Sequence, residues 1–450
     1  MPKVFPFRAI QYALGRELSN VVAPPYDVLD AMSKQRLLAK DPRNVVAIDL
    51  PHTPAKELGP PGAYDSAAAL LREHLSAGVL KKSDAPVMFA YRQTFWSEDG
   101  SRTIQRSGMT CCVETVAFGP RAGGGILPHE ETFSGPKEDR MALMKATRTQ
   151  MSPIFGLHAD DSGRATALLH KVMSSRGPDT VAKTDDGTLH ELWTITDSST
   201  LKSYQDALEG EDVFIADGHH RYTTGLNYLK GLEASEPVAA DHPARRCMIV
   251  LVGMSDPGLV IWPTHRVLGG MKGYSPAAFL AASAGQIQVE PATGDLGALD
   301  RALAARSDLG ERRFALYDFA GKQGWLATPM AADPLGDRFP DKPRAWRDLT
   351  VAFTQYVIVE QICQPVLNAG QPVKWAFPHT IREVEEIGRG GETGAGGGAG
   401  FAQLAVIVRP TPLQAVREVS RANQLMPQKS TFFYPKLATG LFMNGLEARD

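Results

Sequence analysis

Short apolar runs bounded by turn residues alternate along the chain with stretches in which apolar residues recur at helical spacing. Residues 213–216, Val-Phe-Ile-Ala, form one such run, which is long enough for one buried strand. Asp217 and Gly218 interrupt the run, and Tyr222 and Leu226 then begin a helical spacing. The pattern therefore predicts a strand, a tight turn and a helix at this place.

The same patterns predict elements on both sides of this stretch. Strands are expected at 44–50, 87–96, 104–116, 152–158, 190–196, 247–254 and 403–408, with a hairpin over 314–328. Helices are expected at 64–78, 165–174, 201–208, 276–283, 297–305, 349–367 and 412–423. Asp99-Gly100 is typical of a hairpin turn between two of the strands. The fold class that follows is α+β, a mixed α/β arrangement of several mixed sheets flanked by helices.

The chain of 450 residues is long enough for more than one domain. We predict an N-terminal α/β domain at 1–122, a catalytic region at 123–272 and a C-terminal α+β domain at 273–450. Residues 388–400 contain eight glycines but lack the Gly-Lys-Ser/Thr ending of a P-loop. We interpret this segment as a mobile connection to the strand that follows.

Composition excludes several classes of protein. The formal net charge of -2 gives no basic field for nucleic acid, so no nucleic-acid partner is expected. The four cysteines form no C-x-x-C pair, which argues against a zinc ribbon or a redox motif. The N-terminus has no signal-peptide pattern, and no run of 18 apolar residues occurs. We therefore expect a cytoplasmic protein without a membrane partner.

The turn after the predicted strand carries the most unusual chemistry in the sequence. His219, His220 and Arg221 fall in the first turn of the predicted helix, directly after Asp217 and Gly218. Basic side chains are normally unfavourable at that end of a helix, whereas its free N–H groups and dipole favour an anion. The pattern indicates phosphate binding. Two other interpretations stay open: a metal site on Asp217, His219 and His220, or a structural turn in which Asp217 is only an N-cap.

A second polar cluster lies in the predicted loop 127–134. Glu130 and Glu131 follow His129 there, and either carboxylate is a candidate general base for a bound hydroxyl or a ligand for Mg²⁺. Lys137 and Arg140, at the start of the next predicted helix, are candidate substrate contacts. On their own, such charges are equally typical of a solvated loop.

Further candidates are distributed along the chain. Asp27 follows the rigid Pro24-Pro25 turn and is a candidate substrate contact. His265 and Arg266 are a second candidate place for a His-Arg pair to bind an anion, and ordinary surface charge is the alternative interpretation. Lys429 and Lys436, in the C-terminal stretch, are candidates for holding an acidic substrate or nucleotide, although this stretch is also typical of a packed terminus.

Several of these stretches together resemble a bacterial and archaeal family known as domain of unknown function ten-fifteen. The matching motifs are VVAPPYDV, PHEETF with KEDR, SPIF, ADGHHRY, PTHRV and MPQKSTFFYPKLATGL. The resemblance covers nearly the whole chain. FRAIQY, which lacks the proline usual after the arginine, and the glycine-rich segment depart from the family pattern.

The Asp-Gly-His-His-Arg loop also resembles that of the ParB and sulfiredoxin-like superfamily, some members of which phosphorylate free serine. This resemblance implies a ParB/sulfiredoxin-like core around the loop, with Asp217, His219, His220 and Arg221 contacting phosphate or Mg²⁺, and Asp217 as the metal ligand. The implied cofactors are ATP or ADP, or CTP, together with Mg²⁺. A homodimer is a further expectation.

The leading hypothesis is a nucleotide-dependent phosphotransferase that acts on a small hydroxylated metabolite such as serine, or that runs in reverse from phosphoserine. Two alternatives remain at this stage. One is a nucleotide-binding regulator like the ParB proteins that bind CTP, and the other is a metal-dependent phosphatase that uses Asp217, His219 and His220.

Overall fold

The computed structural model describes residues 2–13, 15, 17–131, 134–306, 312–391 and 396–447. The polypeptide forms two compact units. The first contains Met1–Val260 together with Pro435–Asp450, and the second contains Ile261–Tyr434. The predicted division at 1–122, 123–272 and 273–450 remains a prediction, and residues 392–395 of the glycine-rich segment lie outside the described residues.

A large mixed sheet forms the centre of the first unit. Its strands are β1 (Val4–Phe5), β4 (Met88–Trp96), β5 (Thr103–Glu114), β6 (Ile126–Leu127), β8 (Ile154–His158), β9 (Thr180–Lys183), β10 (Leu189–Ile195), β11 (Val213–Asp217) and β12 (Arg246–Gly253). They lie in the order β6-β11-β8-β12-β5-β4-β10-β9, and β1 pairs with β5. Strand β11 runs parallel to β6 and antiparallel to β8. The strand that carries Asp217 is therefore held by a neighbour on each side.

A smaller sheet in the same unit pairs the two ends of the chain. Its strands are β2 (Ala9–Tyr12), β3 (Leu80–Lys82), β7 (Thr149–Gln150) and β21 (Met443–Gly445). Because β21 lies between β2 and β7, the C-terminal stretch is tied into the first unit.

Helices cover the sheets of the first unit. They are α1 (Ala31–Lys40), α2 (Val46–Asp49), α3 (Pro61–Ser76), α4 (Ser134–Thr147), α5 (Arg164–Ser175), α6 (Ser198–Ala207) and α7 (His219–Ser235), with short 3-10 turns at Tyr26–Val28 and Pro243–Arg245. Apolar side chains of α5, α6 and α7, among them Leu169, Tyr204 and Tyr222, pack in one cluster with those of the large sheet. This burial is the main source of the unit's stability.

The second unit is built on an antiparallel sheet with helices. Its strands are β14 (Arg266–Gly269), β15 (Ile287–Ala292), β16 (Phe314–Asp318), β17 (Gln323–Pro329), β18 (Lys374–Ala376) and β19 (Ala402–Val408), in the order β15-β17-β16-β19-β14-β18. Neighbouring residues such as Leu316 and Tyr317 pack in different clusters, as the two-residue period of a strand requires. Two short strands, β13 (Val260–Trp262) and β20 (Phe432–Tyr434), pair separately.

The helices of the second unit cover both faces of this sheet. They are α8 (Pro276–Ser283), α9 (Leu296–Ala305), α10 (Arg344–Arg347), α11 (Thr350–Phe353), α12 (Ile381–Gly388) and α13 (Leu413–Arg421), with a π-helix at Thr354–Leu367. The predicted mixed α/β class, with several sheets flanked by helices, is confirmed.

Most predicted elements are present, and the exceptions have local causes. The strand expected at 44–50 is wrong, because Val46–Asp49 forms the helix α2. The Asn44 side chain accepts a hydrogen bond from the Val46 N–H and donates to the carbonyls of Asn20 and Val22, which starts the helix. Val45, Ile48 and Leu50 are all buried, so the run is apolar on every side and its period cannot identify a helix.

Two further expectations need correction. The helix expected at 349–367 is α-helical only over Thr350–Phe353 and continues as a π-helix. The C-terminal stretch, for which no strand was predicted because its prolines disfavour a regular element, contains the short strands β20 and β21. Among the described residues, no helix is long and apolar enough to cross a membrane.

Candidate functional site

The strand β11, a single glycine and the helix α7 form the frame of the site, as the sequence predicts. Gly218 has a φ of +91°, a conformation that favours glycine. A Cβ atom there would lie 3.0 Å from Nε of Arg221, so a side chain would also displace the guanidinium. The first N–H of α7 with an acceptor inside the helix is that of Tyr222, which donates to the Gly218 carbonyl at 2.9 Å. The N–H groups of the three helical residues before Tyr222 have no acceptor within the helix.

Two cations converge on the Asp217 carboxylate at this turn. Nη2 of Arg221 lies 3.1 Å and Nζ of Lys436 lies 3.7 Å from Oδ2 of Asp217, whose side chain is 22% exposed. Arg221 also donates to the Pro153 carbonyl. Burial raises the pKa of Asp217, but Lys436 and Arg221 outweigh it, so the net pKa lies well below the ordinary value. One carboxylate thus holds two positive side chains at the start of α7.

His219 is buried beneath the turn and paired with His129. The backbone N–H of His129 donates to Nε2 of His219 at 3.3 Å, and the two rings are perpendicular at 4.8 Å. Burial lowers the pKa of both imidazoles, and the proximity of the rings lowers that of His219 further. With Nε2 as an acceptor, the His219 ring is neutral and carries its proton on Nδ1.

His220 is half-buried and surrounded by charges that the sequence places far apart. Burial lowers its pKa, the charges of Glu130 and Asp27 raise it, and those of Lys137 and Arg221 lower it. The loop before α4, the short turn at Tyr26–Val28 and α4 itself therefore each contribute a predicted residue whose charge acts on His220. Of the two candidate carboxylates, Glu130 is half-buried and its charge acts on His220, whereas Glu131 is exposed.

Arg140, predicted to contact substrate, is buried in an ion-pair network. It lies 3.1 Å from Oδ1 of Asp49 and 2.6 Å from Oδ2 of Asp139. Its guanidinium lies 3.8 Å from the ring centre of Tyr26, directly before Asp27. Asp139 also accepts from the Tyr64 hydroxyl at 2.8 Å. Arg140 therefore supports the Tyr26–Asp27 turn from below.

The remaining predicted residues belong to the second unit. Nδ1 of His265 accepts from the Val408 N–H at 3.2 Å, and Nη2 of Arg266 donates to the Lys429 carbonyl at 3.0 Å. His265 and Arg266 are buried, and burial lowers the pKa of Arg266 to about 9. The Lys429 side chain is exposed. A ligand role for these three residues remains a prediction.

Sequence reasoning missed one charged residue near the turn. Arg106 is buried in β5, donates to the Pro435 carbonyl at 2.6 Å, and lies 4.5 Å from the ring centre of Phe155. Burial lowers its pKa to about 10, and the charge of Asp217 acts in the opposite direction. An arginine within a predicted buried strand is the signal that identifies such a residue, since a buried charge needs a partner.

A metal site formed wholly by protein ligands finds no support in the geometry. Among the described residues, no group of three or more His, Cys, Asp or Glu side chains is arranged to hold a metal ion. Mg²⁺ needs no such group, because it binds through one or two carboxylates together with substrate phosphates and water. For the described residues, the finding therefore argues against a zinc site, which is typically formed by three or more protein ligands.

Solved structures with a similar arrangement include a free serine kinase in complex with AMP. Its TM-score is 0.32 at 12% identity, and the match covers 72% of this chain and 95% of that chain. A conserved hypothetical protein from Pyrococcus furiosus has a TM-score of 0.31 at 12% identity, over 71% of this chain and 96% of that one. For SbnI with a C-terminal truncation from Staphylococcus aureus, the TM-score is 0.32 at 9% identity, over 73% and 85%. Likeness at this level supports no statement about function.

No curated protein matches the sequence. A family model described as "Protein of unknown function (DUF1015)" matches residues 4–351. Because this match covers well over half of the 450 residues, the chain belongs to the DUF1015 family of proteins of unknown function.

Proposed function

We propose that this protein is a nucleotide-dependent phosphotransferase that acts on a small hydroxylated metabolite, with serine among the candidates. The observation that supports it is the convergence of Arg221 and Lys436 at the N-terminus of α7. Two cations beside free backbone N–H groups and a helix dipole are suited to a phosphate group.

The residues present also fit the needs of a nucleotide and Mg²⁺. Arg221, Lys436 and the first N–H groups of α7 would hold phosphate oxygens. Asp217 and Asp27 would provide one or two carboxylates for a Mg²⁺ ion that keeps most of its other ligands as water and phosphate oxygens. When bound, such an ion neutralises the charge that develops on the transferred group.

Phosphoryl transfer requires positioning and charge neutralisation more than covalent help from the protein. The acceptor hydroxyl oxygen forms the new P–O bond, and the P–O bond to the leaving phosphate breaks. The nucleotide leaves one phosphoryl group shorter, and the hydroxyl proton passes to Glu130. His220, on which the charge of Glu130 acts, would donate to the transferred group. His219 has its Nε2 engaged with the His129 N–H and would orient the turn instead.

The proposal is tested by incubating the protein with Mg²⁺, one nucleotide (ATP, ADP or CTP) and one acceptor from a panel of hydroxylated amino acids, hydroxy acids and sugars. Phosphorus NMR is expected to show a phosphomonoester that accumulates as the nucleotide loses one phosphoryl group. Phosphoserine with AMP or ADP tests the reverse direction. If the folded protein forms no phosphomonoester with any pair, the proposal is wrong, and nucleotide affinity without transfer would instead indicate a regulator.

A further inference from the structure

A partly enclosed cavity lies next to Arg221 within the first unit. The centre of a water molecule can occupy about 40 Å³ of it. Its lining includes the polar residues Asp49, Arg140, Ser152 and Arg221 and the apolar residues Met144 and Met248. No local pattern in the sequence identifies this cavity, and of its lining residues only Arg221 takes part in the phosphate site described above.

Buried charges of both signs face this space. Nη1 of Arg140 lies 3.1 Å from Oδ1 of Asp49, and the Ser152 hydroxyl donates to Oδ2 of Asp49 at 3.1 Å. Arg140 is 6% exposed and Asp49 is 4% exposed. A ligand that enters such a space loses its water, so any charge that it carries must meet an opposite charge in the wall. A wall with a carboxylate and a guanidinium side by side complements a zwitterion.

The size of the cavity limits what it can hold. At roughly 10–15 Å³ of such space per water molecule, it has room for about three waters, or on the order of 90 Å³ of ligand. That volume is similar to the volume of a three-carbon amino acid. Met144 and Met248 are among the lining residues, so we expect a longer side chain to meet them.

The cavity is connected to the phosphate site through shared residues. Arg221 lines the cavity and also contacts Asp217. Tyr26 lines the cavity, and its neighbour Asp27 acts on His220. A molecule in this space would therefore lie beside the place where the phosphate is held.

We propose that this cavity is the acceptor pocket. In it, Asp49 faces the ammonium group and Arg140 the carboxylate of a three-carbon hydroxy amino acid, while Met144 limits the length of its side chain. The inference rests on the proposed phosphotransferase function and adds the identity of the groups that select the acceptor. Arg140 is then a specificity residue as well as a support for the Tyr26–Asp27 turn.

Ligand truncation tests the charge complementarity on the unaltered protein. Calorimetric titration of the full chain with L-serine, D-glycerate and ethanolamine compares the zwitterion with molecules that lack the ammonium or the carboxylate. We expect D-glycerate and ethanolamine to bind at least tenfold more weakly than L-serine. Equal affinity for the three, or no binding of L-serine, would overturn the inference.

Substitution at Met144 tests the size limit. Met144→Ala is expected to shift the ratio of affinities for L-homoserine over L-serine by at least tenfold, since one methylene in an apolar pocket changes discrimination by roughly 10–200-fold. Met173→Ala is the matched control, because Met173 is 9% exposed, Met144 is 8% exposed, and only Met144 is among the lining residues. An unchanged ratio in Met144→Ala, with thermal unfolding showing a folded protein, would contradict the inference.

The same preparations separate this inference from the proposed function. Calorimetric titration with ADP and phosphorus NMR report on the α7 site and on transfer. If L-serine is phosphorylated but the truncated ligands bind as well as L-serine, the acceptor pocket is wrong and the function stands. If neither nucleotide binding nor transfer occurs, the function fails, whatever the cavity binds.

Discussion

Nζ of Lys436 lies 3.7 Å from the Asp217 carboxylate and so joins the C-terminal stretch to the start of α7. Arg221 contacts the same carboxylate from within the helix. This arrangement positions both cations at the start of α7. In the proposed function Asp217 anchors the phosphate site, and the C-terminal stretch supplies Lys436, which local sequence around Asp217 cannot provide.

Removing the Lys436 charge should weaken nucleotide binding. We expect Lys436→Ala to lower the affinity for ADP roughly 10- to 100-fold, because a hydrogen bond to a charged group contributes about 1.5–3 kcal/mol when it is desolvated. Lys230→Ala, an exposed lysine farther along α7, is the matched control and should leave the affinity unchanged. Calorimetric titration measures both. Equal ADP affinity in Lys436→Ala and the unaltered protein would place the phosphate elsewhere.

A side chain at Gly218 should damage the turn and the arginine together. Gly218→Ala forces a left-handed backbone conformation on alanine, which costs about 1–2 kcal/mol of unfolding free energy, and displaces the Arg221 guanidinium. We expect lower stability by denaturant unfolding and lower affinity for ADP.

Gly231 in the same helix offers the comparison for that variant. A Cβ there would meet no atom within 4 Å, so Gly231→Ala should raise the unfolding free energy by up to about 1 kcal/mol through helix propensity. Its affinity for ADP should not change. If Gly218→Ala and Gly231→Ala changed the unfolding free energy and the affinity for ADP in the same way, the role assigned to Gly218 would be contradicted.

The two neighbouring glutamates should differ in their effect on turnover. Glu130→Gln is expected to reduce kcat by roughly 100-fold or more, because a positioned general base contributes about 10²–10⁴-fold. Glu131→Gln should have a much smaller effect, since Glu130 is half-buried and its charge acts on His220, whereas Glu131 is exposed. Glu138→Gln, an exposed acid in α4, controls for loss of charge. A larger loss in Glu131→Gln than in Glu130→Gln would reverse the assignment of the base.

The frame of the site could be predicted because its signals are local. A run of four apolar residues ends at Asp217, and Gly218 with the spacing from Tyr222 to Leu226 indicates the turn and the helix. The structure places β11 and α7 there. Phosphate binding was predicted from the same turn, and it stays a prediction until nucleotide binding is measured.

What could not be predicted depends on contacts through space. Nothing near Lys436 in the sequence indicates that it pairs with Asp217, and nothing near His219 indicates that His129 holds its Nε2. The acceptor cavity is likewise formed by residues from separate segments, Asp49, Arg140 and Ser152 among them. The π-helix at Thr354–Leu367 was not predicted either, because its apolar pattern is also that of an ordinary helix.

The stability of the second unit should depend on the charge state of His265. Its side chain is 1% exposed, and burial lowers its pKa to about 3, far below the value of about 6.5 expected in the unfolded chain. Below pH 6.5 the unfolded state therefore binds a proton that the folded state excludes. The stabilisation is complete above about pH 6.5 and decreases as the pH falls towards 3, by about 1.4 kcal/mol per pH unit.

Nδ1 of His265 accepts the Val408 N–H, so protonation there would also break this hydrogen bond. In His265→Asn, the amide oxygen can accept the same N–H but does not titrate. We expect the fall in unfolding free energy between pH 7.5 and pH 5 to be about 2 kcal/mol smaller in His265→Asn than in the unaltered protein. Urea unfolding at the two pH values measures this difference, and His170→Asn, at an exposed histidine, is the control. Equal pH dependence in His265→Asn and the unaltered protein would contradict this prediction. Only a group whose pKa differs between the folded and unfolded states contributes to the slope of unfolding free energy against pH, so the imidazole would then be protonated equally in both states.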